Sequence, residues 1–64
     1  MLYKIWILKA NKRIWLTARN TYTESQADYM LGVKPGVITT INGDQFISLA
    51  ENLDPNLDDI LPSN

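Results

Sequence analysis

The stretch KIWILKANKRIWLTAR, residues 4–19, decides the fold that this sequence of 64 residues predicts. Its centre, residues 9–12, is polar and is typical of a turn. The segments on either side, 2–8 and 13–18, are rich in β-branched and aromatic residues. Such segments favour strands, so we predict a β-hairpin here.

The predicted hairpin has two different faces. If Leu8 pairs with Arg13, Trp6 lies opposite Trp15. A register shifted by two residues keeps the same side chains on each face, because side chains alternate with a period of two. One face is apolar and is the predicted core: Tyr3, Ile5, Ile7, Ile14, Leu16 and Ala18. The other face carries Lys4, Trp6, Leu8, Arg13, Trp15 and Thr17.

A helix is expected after the hairpin. Thr23 and Gln26 match a capping box, and Gly32 can supply a left-handed C-terminal cap, so the helix should run from about Glu24 to Leu31. The five β-branched residues 37–41 then predict a strand.

The segment after Asn42-Gly43 is ambiguous. Asn-Gly between apolar segments is typical of a hairpin, which would make residues 45–49 a fourth strand. However, Phe46, Leu49, Ala50 and Leu53 have the spacing of a helix face, with Asp44 as a plausible N-cap. We favour the helix.

These elements, in the order ββαβα, predict an α+β fold. It consists of a small antiparallel-containing sheet, formed by the N-terminal β-hairpin and a third strand, with one or two helices on one face. Residues 1–53 form the predicted single domain, and residues 54–64 an acidic C-terminal tail. No apolar run approaches the length of a membrane span, so we expect a soluble, cytoplasmic protein.

Composition argues against an enzyme. The sequence has no histidine and no cysteine, the commonest general base and the commonest thiol nucleophile. The three glycines are isolated from one another, so no phosphate-binding loop is expected. We predict no catalytic residues, no cofactor and no metal site.

A protein-interaction module, self-associating as a homodimer, is the function that we favour. A chain of this length buries little apolar surface alone, and association with a second copy or another protein buries more. The tryptophan-bearing face or the edge of the hairpin would make the contact, since aromatic residues and arginine are enriched at interfaces. The expected interface residues are Lys4, Trp6, Leu8, Arg13 and Trp15.

Nucleic-acid binding is the rival hypothesis. Residues 1–19 carry five cations and no acid, whereas residues 20–64 carry one lysine and seven acids. In a regulator of a mobile element, phosphates would be bound by the basic hairpin through Lys9, Lys12, Arg13 and Arg19.

A second feature also points to nucleic acid. Residues 25–38 loosely resemble a helix-turn-helix, with Gly32-Val33 at the turn. They depart from that motif at Asp28, which takes the place of a small residue, and at Pro35-Gly36, which falls where the second helix would begin.

Overall fold

The structure is a computed structural model that describes residues 1–9, 11–12 and 14–55. It contains one four-stranded antiparallel sheet of order β2-β1-β4-β3 and, in the described residues, one helix. This confirms the prediction of an α+β fold with a small sheet. The elements are β1 Tyr3–Lys9, β2 Ile14–Thr17, α1 Glu24–Leu31, β3 Thr39–Ile41 and β4 Asp44–Ala50.

The predicted second helix is wrong, because Asp44–Ala50 is strand β4. Asn42 and Gly43 have φ angles of 52° and 86°, the left-handed pair that a tight two-residue hairpin needs. β4 lies between β1 and β3. It has buried side chains on both faces of the sheet, Ile47 on one face and Ser48 on the other. Pairing with two neighbours therefore overrides the helical spacing of its apolar residues.

The N-terminal hairpin forms with the alternative register. Trp6 pairs with Thr17, and Leu8 pairs with Trp15, two positions away from the register in which the tryptophans face each other. The side chains on each face are nevertheless those predicted, because the shift is an even number of residues. The two indoles thus lie diagonally across β1 and β2.

Helix α1 has the boundaries and both caps that the sequence predicts. The Gln26 amide donates to Thr23 Oγ1 at 3.2 Å, and the Thr23 amide donates to Gln26 Oε1 at 3.0 Å. At the other end Gly32 is left-handed, with φ 71°, and its amide donates to the Asp28 carbonyl at 2.7 Å. These local hydrogen bonds fix where the helix begins and ends.

The helix packs on the face of the sheet that was predicted to be the core. Before the helix begins, Tyr22 pairs with Tyr3 at the start of β1. A groove is then lined by Glu24 of the helix together with Tyr3, Ser48 and Ala50, which share that face. Ala27 and Ser48 are both fully buried, and such small side chains allow the helix to lie close to the central strands.

The segment that loosely resembles a helix-turn-helix does not contain a second helix in its described residues. After Gly32 the chain turns at Pro35-Gly36, and the Gly36 amide donates to the Ser48 carbonyl at 2.8 Å. It then enters strand β3. The positive φ of Gly36, 86°, and the β-branched residues 37–41 explain why a recognition helix does not form here.

Part of the predicted acidic tail, residues 56–64, lies outside the described residues. Within the described part of the chain, no helix is both long and apolar enough to cross a membrane.

Candidate interaction surface

On the tryptophan-bearing face, opposite the helix, the predicted interface residues that the structure describes are half-buried or buried. Trp6, Trp15 and Lys4 are half-buried, whereas Leu8 is only 4% exposed. Both indole Nε1 atoms are shielded from solvent and have no hydrogen-bond partner in the described residues. Of the predicted interface residues, the remaining one, Arg13, lies outside the described residues.

Two of the cations predicted to contact nucleic acid, Lys9 and Lys12, lie at the hairpin turn, where the Lys12 amide donates to the Lys9 carbonyl at 3.0 Å. A third, Arg13, lies outside the described residues. Lys9 forms an ion pair with Asp44 at 3.3 Å across the sheet. Because these side chains are 43% and 27% exposed, the pair contributes at most about 1 kcal/mol. Lys12, at the hairpin turn, and Arg19, beyond the end of β2, are exposed. In the described ranges, no group of three or more acidic, histidine or cysteine side chains is placed to hold a metal ion.

An apolar surface on the face that carries the helix is only partly covered. Leu16, Ile7 and Phe46 are direct neighbours across β2, β1 and β4. In the next row towards the hairpin turns, the Lys9–Asp44 ion pair lies between Ile14 and Ile41. We call this surface the apolar strip: Ile7, Ile14, Leu16, Ile41 and Phe46.

The apolar strip is exposed because the helix is short. Eight residues span about 12 Å, less than the width of a four-stranded sheet. The helix occupies the end of the sheet near Tyr3 and Ala50, and leaves the other end uncovered. Ile14 is 48% exposed, and Leu16 and Ile41 are each 38% exposed.

The apolar strip meets an edge of the sheet at β2. This strand, Ile14–Thr17, pairs with β1 on one side and forms the outer edge on the other. Its four side chains include no charge and no proline, the features with which natural proteins commonly protect edge strands. Among the described residues no strand pairs with this outer edge, so an apolar surface and an unpaired strand edge lie side by side there.

The sequence predicts that Ile7, Ile14 and Leu16 lie in the core, whereas in the structure Ile14 and Leu16 are exposed and form part of a surface. A signal was present in the length of the predicted helix, since eight residues cannot cover a sheet that includes two hairpins. The short length of this helix indicates an exposed surface only if β4 is a strand, because the predicted second helix would have covered the rest of this face.

Comparison with protein-family models, with curated proteins and with solved structures found no match to this chain, so the assignment of function rests on its own residues.

Proposed function

We propose that this chain is a small protein-interaction module, not an enzyme, that self-associates through the apolar strip and the adjoining β2 edge. The observation that carries the proposal is the exposure of Ile14 and Leu16 on a face that the helix covers only in part. Of the two contact surfaces expected from the sequence, the hairpin edge is therefore favoured over the tryptophan-bearing face.

Burial of the apolar strip supplies the driving force. Full burial of an Ile or Leu side chain is worth about 1.5–3 kcal/mol, so covering one that is about half exposed is worth on the order of 1 kcal/mol. In a dimer each copy contributes its own Ile14 and Leu16 to the contact. The polar Lys9–Asp44 pair limits the apolar area near the turns. A hydrophobic centre beside charged groups is the usual anatomy of a protein interface.

Sedimentation equilibrium from micromolar to near-millimolar concentration tests the proposal. The unmodified chain should form dimers as its concentration rises. Leu16→Lys should remain monomeric, because a charged side chain in the centre of the contact must lose its hydration. Tyr29→Lys is the matched control, since Tyr29 is 90% exposed on the helix and lies outside the apolar strip. An unmodified chain that stays monomeric throughout would overturn the proposal.

Nucleic-acid binding remains the rival proposal, and the exposure of Lys12 and Arg19 is what supports it. Titration of labelled single- and double-stranded DNA at low salt separates the two functions. If the rival is correct, affinity falls steeply with added salt, and Lys12→Ala with Arg19→Ala reduces the slope by about two, one for each phosphate contact. An interaction module of the kind proposed here gives no saturable binding in either titration.

A further inference from the structure

We infer that two copies of this chain are joined by antiparallel pairing of β2 with β2, about a two-fold axis perpendicular to the sheet. The result is one continuous sheet of eight strands. This inference rests on the proposed function and adds to it the symmetry of the dimer, the pairing of strand with strand and the register.

The choice of edge follows from the two outer strands. β3 has only three residues, Thr39–Ile41, and its uncovered apolar side chain is Ile41. β2 has four residues and brings both Ile14 and Leu16 to the boundary of the sheet. A strand added beside β2 therefore gains main-chain hydrogen bonds and apolar contact together, which is how strand addition achieves affinity and specificity.

The symmetry restricts the register. An axis perpendicular to the sheet keeps the helix-bearing faces of both copies on the same side. Because residues paired across an antiparallel ladder point to the same face, each residue of β2 must pair with one an even number of positions away. A register centred on any residue of β2 satisfies this condition, and two of these registers, centred on Trp15 and on Leu16, keep three residue pairs within the strand.

Apolar pairing favours the register centred on Trp15. There, Ile14 lies opposite Leu16 of the second copy, and the reverse pair forms as well, so the two apolar strips become one. Trp15 lies opposite Trp15 of the second copy on the other face, and aromatic cross-strand pairs stabilise sheets. Centring on Leu16 instead places Ile14 opposite Ala18, which lies beyond the end of the strand.

The charges around this edge predict how salt acts. Lys12 and Arg19 flank β2 and are exposed, so edge pairing brings cations of the two copies towards one another. Added sodium chloride screens this repulsion and should strengthen dimerisation. A dimer held by attraction between the basic hairpin and acidic residues would instead weaken, so the sign of the salt effect distinguishes the two arrangements.

Single-cysteine cross-linking tests the register, because the sequence contains no cysteine. In the register centred on Trp15, the two copies of residue 15 have Cα atoms about 4.5–5.5 Å apart, within disulfide reach. Residue 17 of one copy is then four positions from residue 17 of the other, about 13 Å along the strands. Trp15→Cys should form a disulfide dimer on mild oxidation, and the control Thr17→Cys should not.

Hydrogen exchange in the unmodified chain gives a second readout that does not depend on replacing Trp15. Amides of Ile14–Thr17 that point outwards from the sheet should exchange more slowly as protein concentration rises. Dimers whose β2 amides exchange at a rate independent of concentration would overturn the inference while leaving self-association intact. Equal cross-linking at positions 15 and 17 would overturn the register. A chain that does not dimerise overturns the proposed function itself.

Discussion

Ser48 is the one fully buried polar side chain among the described residues. It lies on β4, pairs with Ile5 of β1 and faces the side of the sheet that carries the helix. Its Oγ has no hydrogen-bond partner in the described part of the chain. A buried hydroxyl without a partner costs free energy, so the value of serine here lies in its small volume next to the helix.

Substitution of Ser48 separates volume from hydrogen bonding. Ser48→Ala should leave the free energy of unfolding unchanged or raise it by about 1 kcal/mol, because it removes an unsatisfied hydroxyl. Ser48→Val should lower that free energy by about 1–3 kcal/mol, because it forces extra atoms between sheet and helix. Urea denaturation measures both, and a loss of more than 1 kcal/mol for Ser48→Ala would show that the hydroxyl has a partner.

The tryptophans show how far single residues could be predicted. Alternation along the strands correctly placed Trp6 and Trp15 on the face opposite the predicted core. The surroundings of Trp6 could not be predicted in the same way, because they depend on which side chain of β4 lies beside it. In the structure Trp6 pairs with Ile47 of β4. The predicted second helix includes Ile47, so the prediction gave Trp6 no neighbouring strand there.

The Asn42-Gly43 turn determines the second hairpin at the scale of the element. The left-handed conformation of both residues matches the twist of β3 and β4, and it costs glycine no steric strain. A Cβ atom built on Gly43 would have no heavy atom within 4 Å. Any loss of stability on substitution there consequently reports backbone conformation alone.

Substitutions at Gly43 should therefore follow the ease with which each residue adopts a positive φ. Gly43→Ala should lower the free energy of unfolding by about 1–2 kcal/mol. Gly43→Asn should cost less, because asparagine tolerates this region. Denaturation curves that place alanine level with glycine would contradict the turn conformation described here.

The helix and the second hairpin differ in how predictable they were, for a physical reason. The boundaries of α1 depend on hydrogen bonds between residues three or four positions apart, such as Thr23 with Gln26, and those signals are visible in any short segment. β4 depends on β1, which lies far away in the sequence. The helical spacing of its apolar residues and the Asn42-Gly43 turn predict different structures. Only pairing with the distant strand β1 decides between the two.

At the scale of the whole molecule, self-association should make thermal stability depend on protein concentration. Only folded chains can pair through β2, so mass action stabilises them as concentration rises. For a dimer, a tenfold increase adds about 0.7 kcal/mol per chain, which corresponds to about 3–5 °C for a domain of this size.

Differential scanning calorimetry at two concentrations tenfold apart measures this shift. Leu16→Lys should show one unfolding temperature at both concentrations, whereas Tyr29→Lys should keep the shift of the unmodified chain. A shift that persists in Leu16→Lys would locate the association on a different surface.

The strand order has a consequence for synthesis. β1 is a central strand, and it pairs with β4 along almost its whole length, with Trp6 opposite Ile47, 41 positions later (47 minus 6). A nascent chain that ends before Asp44 can form the first hairpin and the helix, but it has no strand to fill the place beside β1. The sheet is therefore completed only after β4 leaves the ribosome, and until then both edges of the N-terminal hairpin are open to other nascent chains.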